Sequence, residues 1–196
     1  MRWSRFWNKI VTESGKKNAP VKALSKAILD GSLAMAEEIR PSMEFNTKEE
    51  SDNNWVYVLF EFQYLLFHLV SRYAAIHLGP EKRSDLLEDI APLVIQPTLN
   101  AIFGHWPDDL KTKINSEYYE NLAKSEYDYG TCKQVWSDEE VDDMNDVVIY
   151  RFAKNVANLM GNPHNPGLIL DVQRTLIKGL NLIQFNTLLE KVYEVF

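Results

Sequence analysis

Glu61, His68 and Arg72 are the ionisable side chains whose types and spacing could do chemistry together. His68 and Arg72 stand one helical turn apart, and Glu61 lies two turns before His68. With Tyr57 and Tyr64 they fall on one side of an α-helix advancing about 100° per residue. In such a group a histidine can act as a general base, an arginine can hold an anion, and a carboxylate can orient either one. Glu61, His68, Arg72, Tyr57 and Tyr64 are therefore the candidate pocket or ligand-binding residues. The competing reading is a polar stripe that faces water or satisfies itself between helices.

Other chemistries have weaker signals. The chain contains no Glu-x-x-His pair, no His-Glu-x-x-His motif and no Gly-x-Ser-x-Gly elbow, the patterns that build di-iron sites, zinc hydrolases and serine hydrolases. Its four histidines are scattered, and His164 sits in Asn162-Pro163-His164-Asn165-Pro166, which reads as a rigid turn. The acidic run from Asp138 to Asp146 lacks the alternating oxygen ligands and central glycine of a calcium loop. Cys132 has no local histidine. No catalytic residue, metal ligand or cofactor is assigned.

Association has clearer signals. Trp3, Phe6, Trp7 and Ile10 follow one face of a short helix, with Arg2, Arg5 and Lys9 around the rest. Such a segment suits a protein partner, self-association, or peripheral membrane contact through residues 1–12. Residues 1–26 carry seven cationic side chains against Glu13 alone, a net +6, so the rest of a chain of net charge -7 carries -13. That balance excludes nucleic acid lying across the body. Residues 107–146 hold twelve carboxylates against four lysines, with Tyr118, Tyr119, Tyr127, Tyr129 and Trp136 among them. The basic arm is expected to associate with this acidic surface, in the same or a neighbouring chain, rather than with a membrane.

These residues need helices to position them, and the sequence supplies little else. At 196 residues, 45% hydrophobic and 25% charged, the chain can bury a substantial core. Eight glycines and eight prolines leave few tight turns. Periodicity and punctuation predict helices over about 3–12, 20–39, 51–78, 81–103, 107–125, 137–159 and 166–196. Gly31 and Ser32 are expected to interrupt the second. Pro92 and Pro97 are expected to kink or divide the fourth, and Ser137 with Glu140 to cap the sixth. Gly179 is expected to weaken the last slightly.

The most apolar stretch, Trp55–Leu78, is long enough to span a bilayer. Glu61, Gln63, His68 and Arg72 oppose insertion, because a central charge costs roughly 2.5–3.5 kcal/mol while each Leu, Ile, Phe or Val returns only about 0.3–0.6. No transmembrane span is expected. The fold expectation is all-α, a single-domain helical bundle of about seven helices (1–196) with an amphipathic arm at 1–14 and a helical body at 15–196. The third and seventh predicted helices are placed at its centre. One cysteine and no secretory pattern indicate a cytoplasmic protein. A non-catalytic helical interaction or binding protein is the leading function. The alternatives are a small-molecule-binding or hydrolytic bundle enzyme using the stripe, and a peripheral membrane protein anchored by its arm.

Overall fold

Local chemistry sets most helix boundaries in the computed structural model, which describes residues 19–43, 45, 47–136 and 143–196. Helix α1 (Ala19–Ile39) has Pro20 in its first turn, where no N–H is needed. Helix α2 (Lys48–His77) starts at Thr47, whose hydroxyl accepts from the Glu50 N–H at 3.1 Å. Gly79, at φ +83°, turns the chain, and Pro80 opens α3 (Pro80–Phe103). Helix α4 spans Asp108–Gly130, α5 Val148–Leu159, α6 Pro166–Leu182 and α7 Phe185–Tyr193. The fold is an all-α helical bundle. Among the described residues, no helix is long and apolar enough to cross a membrane.

Several boundaries differ from the sequence expectation. The segment 3–12 and the Ser137/Glu140 capping box lie outside the described residues. The helix expected from 137 is seen from Val148 onward, after a 3-10 turn at Met144–Asp146 that leaves Met144 exposed. α1 runs unbroken through Gly31 and Ser32. α3 is likewise one helix through Pro92 and Pro97, so it is not divided there. Its buried face, including Leu86, Ile90, Val94 and Leu99, outweighs the two lost donors. The expected final helix is two helices, because Gln184 adopts φ 52°, a left-handed conformation that ends α6 and redirects α7.

α2 is central as expected, with every residue from Val58 to Ser71 buried. The second central element is α1 rather than the last helix, since α1 packs on α2, α3, α6 and α7. α1 and α2 run antiparallel: Arg40 pairs with Asp52, and Ser32 meets Gln63 at 3.3 Å. α3 runs antiparallel to α2, with Gln63 on Thr98 at 2.9 Å and Ser71 on Arg83 at 2.8 Å. The start of α1, the end of α2 and the start of α3 therefore share one end of the bundle. α7 finishes there too, since Tyr193 stacks on His77 at 4.9 Å and Lys82 donates to the Phe196 main-chain oxygen.

α6 packs antiparallel on α1 through small residues. A Cβ on Gly179 would lie 2.2 Å from the Met35 sulfur, and one on Gly31 would lie 3.0 Å from the Ile183 side chain. Gly179 is therefore a point of close approach rather than a weak spot. Gly179→Ala is expected to destabilise by about 1–2 kcal/mol, because displacing buried Met35 costs more than the gained helix propensity returns. Urea unfolding of Gly179→Ala, Met35→Ala and the double variant checks this. The double variant should be less destabilised than the two single losses together; full additivity would refute the contact.

Candidate functional site

Most of the polar stripe of α2 faces α4, α5 and the chain that leaves α4, with Tyr57 exposed, and Glu61, His68 and Arg72 fall into three groups. His68 is buried, and its Nδ1 lies 2.8 Å from Glu126 Oε2. The Glu126 carboxyl is pulled in two directions. Burial would raise it, but hydrogen bonds from His68 and Ser71 and the adjacent Arg83 guanidinium outweigh that and hold it below its ordinary range. An ionised carboxylate only accepts, so His68 Nδ1–H is the donor in this bond. Ser71 donates to Glu126 Oε1 at 2.5 Å, and Arg83 donates to the same oxygen at 2.9 Å and to Ser71 Oγ at 2.6 and 2.8 Å. One carboxylate thus joins α2, α3 and α4.

Glu61 belongs to a second group. Tyr129 of α4 donates to Glu61 Oε1, and Asn155 of α5 donates to the same oxygen at 3.1 Å. Burial raises the Glu61 carboxyl, and these two hydrogen bonds only partly offset it. Burial and the neighbouring Glu61 charge push the Tyr129 hydroxyl far up as well. On its outer side Glu61 borders a cleft of about 200 Å³ with Tyr57, Tyr64, Asn121 and Lys124 among its walls. Tyr64 is buried and Tyr57 is 40% exposed. This cleft is below the roughly 300–1,000 Å³ of typical ligand pockets.

Arg72 makes the third group. Its guanidinium donates to the main-chain oxygens of Cys132 at 3.1 Å and Lys133 at 2.9 Å, fastening the chain that leaves α4. Glu61, His68 and Arg72 therefore do not converge on one cavity. The residues that complete the groups, Glu126, Tyr129, Asn155 and Arg83, escaped assignment as partners because they come from other helices. Glu126 and Tyr129 were visible only as part of an acidic, aromatic region. Within that region Tyr118 and Tyr129 are core residues, whereas Tyr119 and Tyr127 are exposed. Glu126, Asp128 and Asp146 are already engaged by Arg83, Arg151 and Lys133.

A larger concavity lies at the bundle end where α2 and α7 finish. This cleft of about 500 Å³ is lined by Tyr73 and His77 of α2 and by Asn186, Leu189, Glu190, Tyr193 and Glu194 of α7 and its end. Leu189 is buried, and the Tyr193 hydroxyl is buried without a hydrogen-bond partner among the described residues. Burial pushes that hydroxyl up to about 12, so it is a neutral donor at ordinary pH. Glu190 and Glu194 are exposed one helical turn apart. A neighbouring groove of about 470 Å³ adds Asp85, Glu88 and Asp89 beside Lys82. Sequence periodicity missed the cleft because the Gln184 turn sets the direction of α7. Trp3, Phe6, Trp7 and Ile10 lie outside the described residues. No protein-family model, curated protein or solved structure matches the chain.

Proposed function

We propose that the chain is a non-catalytic helical interaction protein that receives a basic amphipathic helix in the cleft between the end of α2 and α7. The observation that carries this reading is the lining of that cleft, which combines Tyr73, Leu189 and Tyr193 with the exposed carboxylates of Glu190 and Glu194. Recognition of a helix in a groove needs apolar contacts for anchor side chains at i, i+3 or i+4, and i+7, and a rim that sets orientation. Aromatic anchors supply most of the energy, and complementary charge supplies selectivity and a fast encounter. Ile76, 71% exposed and three residues beyond Tyr73, extends the apolar surface past the cleft. Glu61, His68 Nδ1 and Arg72 of the stripe, by contrast, hydrogen-bond to other segments of the bundle.

The test is titration with a designed Leu/Lys amphipathic peptide, followed by amide NMR. The protein is the full chain carrying Trp3→Ala, Phe6→Ala and Trp7→Ala, so that its own apolar arm cannot compete. Shifts are expected at residues 73–77 and 186–194. Glu190→Lys with Glu194→Lys should weaken binding at least about ten-fold, the scale of losing two charge-complementary contacts. Shifts centred on Glu61, Asn121 and Lys124, or none at all, would overturn the reading.

A further inference from the structure

We propose that the cleft at the end of α2 and α7 is occupied in cis by residues 1–12 of the same chain, which any external partner must displace. This rests on the cleft being the interaction surface, and it names the first occupant. The geometry places the arm beside the cleft. Ser32 meets Gln63 across antiparallel helices. Going back along α1 from Ser32 to Ala19, and forward along α2 from Gln63 to Ile76, covers the same length, about 20 Å at 1.5 Å per residue. Ala19 therefore stands level with Ile76 and His77, and His77 stacks on Tyr193 in the cleft wall. Residues 13–18, extended at about 3.3–3.6 Å each, can reach roughly 20 Å from Ala19, enough to lay residues 1–12 across the cleft.

Chemistry selects the same occupant. Trp3, Phe6, Trp7 and Ile10 offer apolar groups at helical spacing to a floor of Tyr73, Leu189 and Tyr193. Arg2, Arg5 and Lys9 meet the Glu190 and Glu194 rim, and the cleft lining contains no lysine or arginine. The acidic surface of residues 107–136 is a weaker match, because Tyr118 and Tyr129 are spent in the core and Glu126 and Asp128 are already paired. A tethered segment also acts at an effective concentration of the order of millimolar, which a free ligand must overcome.

Two measurements on the full chain test this. In the first, the Leu/Lys peptide is titrated into wild-type protein and into the Trp3→Ala/Phe6→Ala/Trp7→Ala variant. Binding to the variant should be at least about ten-fold tighter. Equal binding to both would overturn occupation in cis while leaving the interaction surface standing, whereas no binding to the variant would remove both. In the second, a nitroxide is attached to Asn8→Cys in a Cys132→Ser background and amide broadening is mapped. Broadening at residues 73–77 and 186–194, unchanged on dilution, is the expected result. Broadening along α4, transfer to an unlabelled copy in a mixed sample, or broadening that needs anionic phosphatidylserine vesicles would each overturn it, as would none. These outcomes would assign the arm to the acidic helix, a second copy, a membrane or solvent respectively.

Discussion

Gln63→Ala is expected to lower the unfolding free energy by about 4–5 kcal/mol, a large part of the roughly 5–15 kcal/mol typical of a folded domain. Gln63 is fully buried in α2. Its amide donates to Ser32 of α1 at 3.3 Å and to Thr98 of α3 at 2.9 Å, and its carbonyl oxygen accepts from Tyr118 of α4 at 2.8 Å. One side chain therefore ties four helices together. Truncation leaves a cavity, which in aliphatic comparisons costs about 2–5 kcal/mol. It also strands the Tyr118 hydroxyl, fully buried, at about 1–3 kcal/mol. Ser32 and Thr98 are protected because their hydroxyls also donate to the Leu29 and Val94 carbonyls.

That asymmetry allows a sharper test. Gln63→Leu restores most of the volume and should cost only about 2 kcal/mol, mainly from the orphaned Tyr118 hydroxyl. Adding Tyr118→Phe removes the orphan, so the double variant should recover about 1 kcal/mol relative to Gln63→Leu alone. Urea unfolding of wild type, Gln63→Leu, Tyr118→Phe and the double variant provides the cycle, with Gln63→Ala measured beside them. If Gln63→Leu is as damaging as Gln63→Ala and Tyr118→Phe recovers nothing, the network does not hold the helices as described.

The case of Gln63 also marks how far sequence reasoning reaches. Periodicity placed α2, with Glu61, His68 and Arg72 on its stripe, because both facts depend only on the 3.6-residue repeat. It could not name their partners. Glu126 is 58 residues from His68, and Asn155 is 94 from Glu61, so those contacts depend on how helices cross rather than on local spacing. The left-handed position of the Gln184 turn is itself neither glycine nor asparagine, so the residue there does not announce it. Without that turn the last helix would continue straight, and the cleft made by α7 could not be anticipated. Gly179 shows the converse: propensity reads it as a small local cost, while packing against Met35 makes its missing side chain the feature that matters.

Glu61 and Glu126 are expected to give stability opposite dependences on pH, although both sit in the interface between α2 and α4. Burial raises the folded-state value of Glu61. From the ordinary carboxylate range up to that raised value, the folded chain holds a proton that the unfolded chain has released. Stability contributed by Glu61 is therefore full at lower pH and is lost as pH rises through this interval. For Glu126, burial is outweighed by the hydrogen bonds from His68 and Ser71 and by Arg83, and the folded-state value is lowered. Its contribution is present above the ordinary carboxylate range and is lost as pH falls through the lowered value.

Glu61→Gln separates the two, because an amide oxygen can still accept from Tyr129 and Asn155 while carrying no charge. Unfolding free energies measured from pH 2 to pH 9 should show Glu61→Gln losing the wild-type decline on the alkaline side while keeping the acid decline due to Glu126. At pH 8 it should be more stable than wild type. Glu61→Ala should instead destabilise by about 3 kcal/mol or more at the acidic end of that range, because the buried Tyr129 hydroxyl and the Asn155 amide lose their shared acceptor. Parallel pH profiles for wild type and Glu61→Gln would mean that Glu61 ionises in the folded chain as it does in the unfolded one. The carboxyl would then have to be open to water, and its place between Tyr129 and Asn155 would be wrong.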